Sequence, residues 1–161
     1  GQHGARAAVL GAGGAARAVV VALASRGAEV SVHARRRDQA MELCEELGAH
    51  AGSWPPADGS WDLLVNTTPL GGGGARDETP LPGGRFDGRL VYDLTYGAGT
   101  SALLRDAAAA GCRTLDGLPM LIAQAERQFE WWTGRRPAEG VMRRAAAERL
   151  GIRETVSHPV S

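Results

Sequence analysis

Lysine is missing from this sequence of 161 residues, and all 18 of its basic side chains are arginine. A mechanism that needs a lysine base or a Schiff-base lysine has no candidate in it. The arginine- and alanine-rich composition reads as GC-rich coding bias. Cysteine is scarce: Cys44 and Cys112 are too few for a disulfide scaffold and lack metal-type spacing. Net charge is zero, with 18 basic residues against 18 acidic. No overall positive field would gather nucleic acid or an anionic membrane surface. No apolar run approaches the ~20 residues of a membrane span, and no charged n-region with an apolar h-region opens the sequence. A reducing cytoplasm is the expected compartment. The four histidines, His3, His33, His50 and His158, are scattered, with no metal set or catalytic triad among them.

What remains is an ordinary globular composition, 43% hydrophobic and 22% charged, of a length that suits one core. Glycine is plentiful at 23 residues, and its placement is informative. Arg6–Leu10 reads as a short apolar strand, Gly11–Ala16 (GAGGAA) as a turn, and Arg17–Gly27 as a helix with a glycine stop. Glu29–His33 alternates like a strand. Arg37–Leu47 is helical, with Ala40, Met41, Cys44 and Leu47 on one stripe and Gly48 as its stop. Strand, turn, helix, strand and helix in under fifty residues is the signature of parallel βαβ units.

Further on, Ala49–Gly52 reads as a brief third strand, Trp54–Gly59 as a loop and Trp61–Asn66 as a buried strand. Leu70–Gly84, rich in Gly and Pro, reads as the least ordered stretch, a long surface loop in preference to a lid. Arg89–Tyr96 is a strand running into a loop. Thr100 is placed to cap a helix over Ser101–Ala110, and Arg113–Leu115 is a short last strand. Two long helices, Gly117–Thr133 and Pro137–Leu150, follow before a frayed tail from Gly151 to Ser161.

The chemistry-bearing segments sit at the carboxyl ends of these strands. Gly11-Ala12-Gly13-Gly14-Ala15-Ala16 is a G-x-G-x-x-A motif between a strand and a helix. Gly11 permits the turn, Gly13 leaves room for a pyrophosphate, and Ala16 lets helix and strand approach. The helix N-terminus turns free N–H groups toward the phosphates. The alternative is a tight glycine turn with no ligand.

At the end of the second strand, His33-Ala34-Arg35-Arg36-Arg37 carries arginines where a site for NAD places an acid. An arginine fork suits a 2′-phosphate, which points to NADP; the plainer alternative is a solvated helix start. Asn66-Thr67-Thr68-Pro69-Leu70-Gly71 either lines a nicotinamide pocket or is a polar turn. Tyr92–Tyr96 and Asp116–Gln124, with Tyr96, Met120 and Gln124, read from their residues as core or capping structure in preference to a site. Cys44 reads as buried and inert.

Together, VLGAGGAARA (Val9–Ala18), NTTPLG (Asn66–Gly71), VYDLTY (Val91–Tyr96) and DGLPMLIAQAERQFEWWTG (Asp116–Gly134) resemble the shikimate dehydrogenase family. The resemblance runs from about Val9 to Leu150 and concerns the family's C-terminal part. It implies a Rossmann-like α/β fold over residues 1–150: a parallel β-sheet with helices on both faces, closing with two long helices. It implies NADP as cofactor and the reversible reduction of 3-dehydroshikimate to shikimate. By residue, it places Gly11, Ala12, Gly13, Gly14 and Ala15 on the pyrophosphate. Ala34, Arg35 and Arg36 would lie around the 2′-phosphate, Thr67 and Thr68 beside the cofactor, and Leu94, Gly117 and Met120 near the nicotinamide. Tyr96 and Gln124 would reach the substrate.

The family's Asn-Arg-Thr is Ala34-Arg35-Arg36 here, and its usual Met after the motif at Asn66–Gly71 is Gly72. Nothing in the sequence matches the family's N-terminal domain, which carries most of the substrate site and a catalytic Lys–Asp pair. No residue is therefore expected to be catalytic, and shikimate or 3-dehydroshikimate would bind only with that domain present. The expectation is a cofactor-binding domain, inactive alone. A relative acting on quinate or an amino analogue, and a stand-alone NADP(H)-sensing module, stay open.

Overall fold

The computed structural model describes residues 4–95 and 97–116. Within them lie β1 (Arg6–Leu10), α1 (Gly14–Ala24), β2 (Glu29–His33), α2 (Arg37–Leu47), β3 (His50–Ala51), β4 (Leu63–Asn66), β5 (Leu90–Asp93), α3 (Ala102–Ala109) and β6 (Arg113–Asp116). The six strands form one sheet in the order β3-β2-β1-β4-β5-β6, with all neighbours parallel. The all-parallel sheet agrees with the expected Rossmann-like α/β class, and its strand order is that of a doubly wound sheet. The chain builds outward from β1 on one side, then returns past it to build the other. The reversal lies between β1 and β4, and in open α/β sheets the carboxyl ends of the strands at such a switch point are where ligands bind.

Alternation along each strand divides the core in two. Ala7, Val9, Val30, Val32, Leu63 and Val65 face α1 and α2, meeting Val19, Val20, Leu23, Leu43 and Cys44. Ala8, Leu10, Leu64 and Val91 face the other way and meet Leu103, Leu104 and Ala107 of α3. A parallel sheet needs cover on both faces, so runs such as AAVL are apolar throughout rather than alternating. No helix among the described residues is long and apolar enough to cross a membrane.

Several boundaries move from those expected. α1 begins at Gly14, not Arg17, and ends at Ala24 before the Gly27 turn. The glycine motif thus contributes the helix's first turn. In α2 the buried residues are Ala40, Leu43 and Cys44, while Met41 is exposed. Position 43, three after Ala40, keeps the helical stripe over the sheet; position 41 turns away from it. Ser101, not Thr100, caps α3, its hydroxyl accepting from the Leu104 amide at 3.4 Å. The strands at 61–66 and 89–96 are shorter than expected, because the residues at their ends are drawn into turns and polar contacts.

Leu70–Gly84 is a loop without helix or strand, as expected, but it is anchored rather than loose. On the second face of the sheet, Trp61, Leu81 and Phe86 join the α3 residues in covering β1 and β4. Pro80 and Leu81 are buried, and the Arg76 guanidinium donates to Gly71 O (2.8 Å), Thr95 Oγ1 (3.0 Å) and Gly99 O (2.9 Å). The segment is a packed crossover. The two expected C-terminal helices, Gly117–Thr133 and Pro137–Leu150, lie outside the described residues, as does the tail.

Candidate functional site

Strand register gathers the site. Leu10 pairs with His33 on one side and with Asn66 on the other, and Asn66 pairs with Asp93. The residues that follow these, Gly11, Ala34, Thr67 and Leu94, therefore leave the sheet side by side at its carboxyl edge. The Gly11 amide donates to His33 O at 2.9 Å. Thr67 closes the other flank: its amide donates to Leu10 O at 2.9 Å and its hydroxyl to the same oxygen at 2.6 Å.

Gly11 and Gly13 are constrained differently. Gly11 has φ of 106°, and a Cβ there would lie 2.5 Å from Thr67 Oγ1. Backbone conformation and packing both demand glycine. Gly13, the N-cap of α1, has φ of −89°, and a Cβ would meet nothing within 4 Å. Nothing in the described protein requires glycine there; an approaching ligand would. No side chain caps α1 and its first turn carries no acid, so the helix start keeps its attraction for an anion. Ala15 and Ala16 are buried beneath it, and Ala12 packs partly on the core.

Arg36 is the N-cap of α2, again with no side-chain cap. The three arginines here have different engagements. Arg36 pairs with Asp38 at 3.2 Å, both largely exposed, a contact of little energetic weight. Arg37 donates to Gly52 O at 3.3 Å. Arg35 has no carboxylate at ion-pair distance among the described residues, and its guanidinium lies 5.9 Å from the centroid of the Trp54 ring.

The Asn66–Gly71 turn is mostly self-satisfied. Asn66 is fully buried; its Oδ1 accepts from Thr68 N (3.0 Å) and Thr68 Oγ1 (2.7 Å), and its Nδ2 donates to Asp93 Oδ1 (3.1 Å). Its amide therefore sets the turn rather than lining a pocket. Thr67 is buried, Thr68 is half-buried, and the Leu94 side chain lies in the core, so Leu94 would meet a ligand through its main chain. Asp93, fully buried, also accepts from Thr95 N (2.9 Å) and Ser101 Oγ (2.7 Å). Tyr96, Gly117, Met120 and Gln124 lie outside the described residues.

His33 and Trp54 were not singled out as site residues from the sequence. The His33 ring is buried. Its Nδ1 lies 2.6 Å from Ser53 O and its Nε2 2.8 Å from Ser31 Oγ. Since a carbonyl can only accept, Nδ1 carries the proton. A histidine ending a strand beside a Gly-Ser-Trp-Pro-Pro loop was the available signal.

Burial pulls the His33 pKa below its ordinary value, against the opposing hydrogen bond to Ser53. An unfolded histidine takes up a proton near 6.5. Below that pH the unfolded chain holds more protons, so stability is full above about 6.5 and falls as pH drops toward the folded value. We expect the melting temperature to decline from pH 7.5 to 5.5, and His33→Gln to flatten that slope. A slope unchanged in the variant would assign the pH dependence elsewhere. Burial also raises the Cys44 thiol pKa, in keeping with an inert side chain.

Comparisons with known proteins place these features in context. Residues 117–147 match the model of the shikimate 5'-dehydrogenase C-terminal domain family. The NADP(+) shikimate dehydrogenase of Archaeoglobus fulgidus is 39% identical over 155 residues, 91% of this chain and 58% of that protein. Its counterpart from Oleidesulfovibrio alaskensis is 46% identical over 137 residues, 81% of this chain and 49% of that protein. A crystal structure of Thermus thermophilus shikimate 5-dehydrogenase, in complex with NADP(H) and shikimate, superposes with a TM-score of 0.65 at 40% identity. That match covers 89% of this chain and 55% of the Thermus chain. The chain spans about half the length of the curated relatives it matches.

Proposed function

We propose, on the premise that the chain belongs to the shikimate dehydrogenase family as a counterpart of its C-terminal part, that it is the NADP-binding domain of such an enzyme. The observation that carries this reading is the open face of Gly13 at the uncapped start of α1, with Arg35 on the adjoining strand end and no carboxylate at ion-pair distance among the described residues. The pyrophosphate would lie over Gly11–Ala15, receiving main-chain hydrogen bonds from the helix start. Arg35 and Arg36 would fork onto the 2′-phosphate, with Ala34 leaving space beside them. Thr67, Thr68, Leu94, Gly117 and Met120 would border the nicotinamide half.

Bound NADP would supply the hydride-accepting or hydride-donating ring. The chain's own part is to fix that ring's position and exclude water beside it. Tyr96 and Gln124 would orient a shikimate-like substrate by hydrogen bonds. Neither is a ready proton acceptor at neutral pH, and the chain has no lysine. The proton transfer that accompanies hydride transfer is therefore assigned to the Lys–Asp pair of the family's substrate domain, and reduction of 3-dehydroshikimate to the assembled enzyme.

Calorimetry with the 161-residue chain tests this reading. NADPH should bind more tightly than NADH, and Arg35→Ala should weaken NADPH by about 10- to 100-fold, as expected for one or two charge-assisted hydrogen bonds. Equal affinity for the two nucleotides, or an Arg35→Ala variant that binds NADPH normally, would sink the reading.

A further inference from the structure

We infer that Trp54 is a positioning residue for cofactor choice: its indole holds the Arg35 guanidinium in place for the 2′-phosphate. This rests on the NADP reading above and adds a residue that none of the four motifs contains.

The guanidinium carbon of Arg35 lies 5.9 Å from the Trp54 ring centroid, within the range at which a cation is drawn to an indole face. The neighbouring arginines have polar partners in Asp38 and Gly52 O. Arg35 therefore owes its placement, among the described residues, to a ring that leaves its N–H donors unspent. That suits a residue whose fork must meet a phosphate. An ion pair would compete with the ligand for the same donors; a π face does not.

Trp54 is itself held. It packs partly against the second core cluster, and the main chain before it is tied to the end of β2. The Gly52 amide donates to Val32 O at 2.9 Å, His33 Nδ1 donates to Ser53 O at 2.6 Å, and Ser53 Oγ donates to Pro55 O at 2.8 Å. Arg35 lies two residues beyond His33 on the same strand end. Both members of the pair thus hang from one anchor, and the distance between them does not depend on a long flexible loop. Arg35 and Trp54 line a cavity of about 380 Å³ shared with Trp61, Leu81 and Arg85. Arg85, the other cation there, is tied to Asp58 at 3.2 Å. A long, exposed arginine loses rotamer freedom when it clamps a phosphate; an indole that has already restricted it reduces that loss.

The test measures NADPH and NADH affinities by calorimetry in Trp54→Leu, Trp54→Phe and Arg35→Ala, and in Trp54→Leu combined with Arg35→Ala. Trp54→Leu should weaken NADPH about fivefold and leave NADH within about twofold. Trp54→Phe, which keeps a π face, should recover most of the loss. With Arg35 already removed, Trp54→Leu should cost nothing further. Should circular dichroism show that Trp54→Leu disturbs the fold, Trp54→Met replaces it as the ring-free variant. Equal weakening of both nucleotides, or the same NADPH loss with and without Arg35, overturns the inference while leaving the NADP reading intact. If the unaltered chain shows no preference for NADPH, that reading fails first and the role of Trp54 falls with it.

Discussion

Gly13→Val is expected to abolish NADPH binding while leaving the fold intact, a loss of at least 100-fold in affinity with an unchanged circular dichroism spectrum. The two halves of this expectation come from one measurement of space. A Cβ at position 13 would touch nothing within 4 Å, and φ there is −89°, so a side chain can start there without strain in the backbone and without a clash at its first carbon. The open volume is where a pyrophosphate would rest against the helix start, and an isopropyl group would occupy it. Gly11→Val is the matched contrast. With φ of 106° and Thr67 Oγ1 2.5 Å from the added carbon, it should lower stability by about 1–3 kcal/mol. Normal NADPH titration by a folded Gly13→Val protein would show that the glycine turn is not the ligand site.

Asp93→Ala is expected to be among the most destabilising single changes in the described structure, at about 3–5 kcal/mol. The Asp93 side chain has no exposed surface and accepts hydrogen bonds from Asn66 Nδ2, Thr95 N and Ser101 Oγ. Truncation strands three donors, each costing about 1–3 kcal/mol when buried and unmatched, less what shifted side chains or water recover. Asp93→Asn should lose less. Its oxygen can still accept, and Ser101 can turn its hydroxyl to accept from the new amide. Urea denaturation of both variants measures the difference. A loss below about 1 kcal/mol in Asp93→Ala would mean that the network around Asn66 re-forms without its centre.

The contrast between these positions explains what the sequence disclosed. Gly11–Ala16 was legible because the turn, the close approach and the helix start each select small residues at fixed spacing. The βαβ order was legible because buried parallel strands are short apolar runs between punctuating glycines. Arg35 was legible as a charge where an acid would stand for NAD. Asn66, Asp93 and Ser101 were only partly so. Polar residues at a strand's end look alike whether they line a pocket or satisfy one another, and only the register pairing Asn66 with Asp93 distinguishes the two.

Trp54 and Leu81 were hidden for a different reason. Their partners, Arg35 and the second face of β1, are distant in sequence, and no periodicity records a contact made by a loop. Arg76 is similar: an arginine among glycines gives no sign that three main-chain or hydroxyl oxygens await it.

That arginine also determines how the molecule can open. Its carbonyl accepts the Ala102 amide at 2.8 Å, at the first residue of α3, while its guanidinium holds Gly71, Thr95 and Gly99. The crossover and the start of α3 are thus stitched through one residue, by its carbonyl and its guanidinium together. In amide-exchange terms they are expected to open as one cooperative unit: lifting the crossover at Arg76 frees the Ala102 amide. Solvent would reach Ala8 and Leu10 and the beginning of α3 in the same event, although Leu10 and Phe86 lie 76 positions apart in the chain.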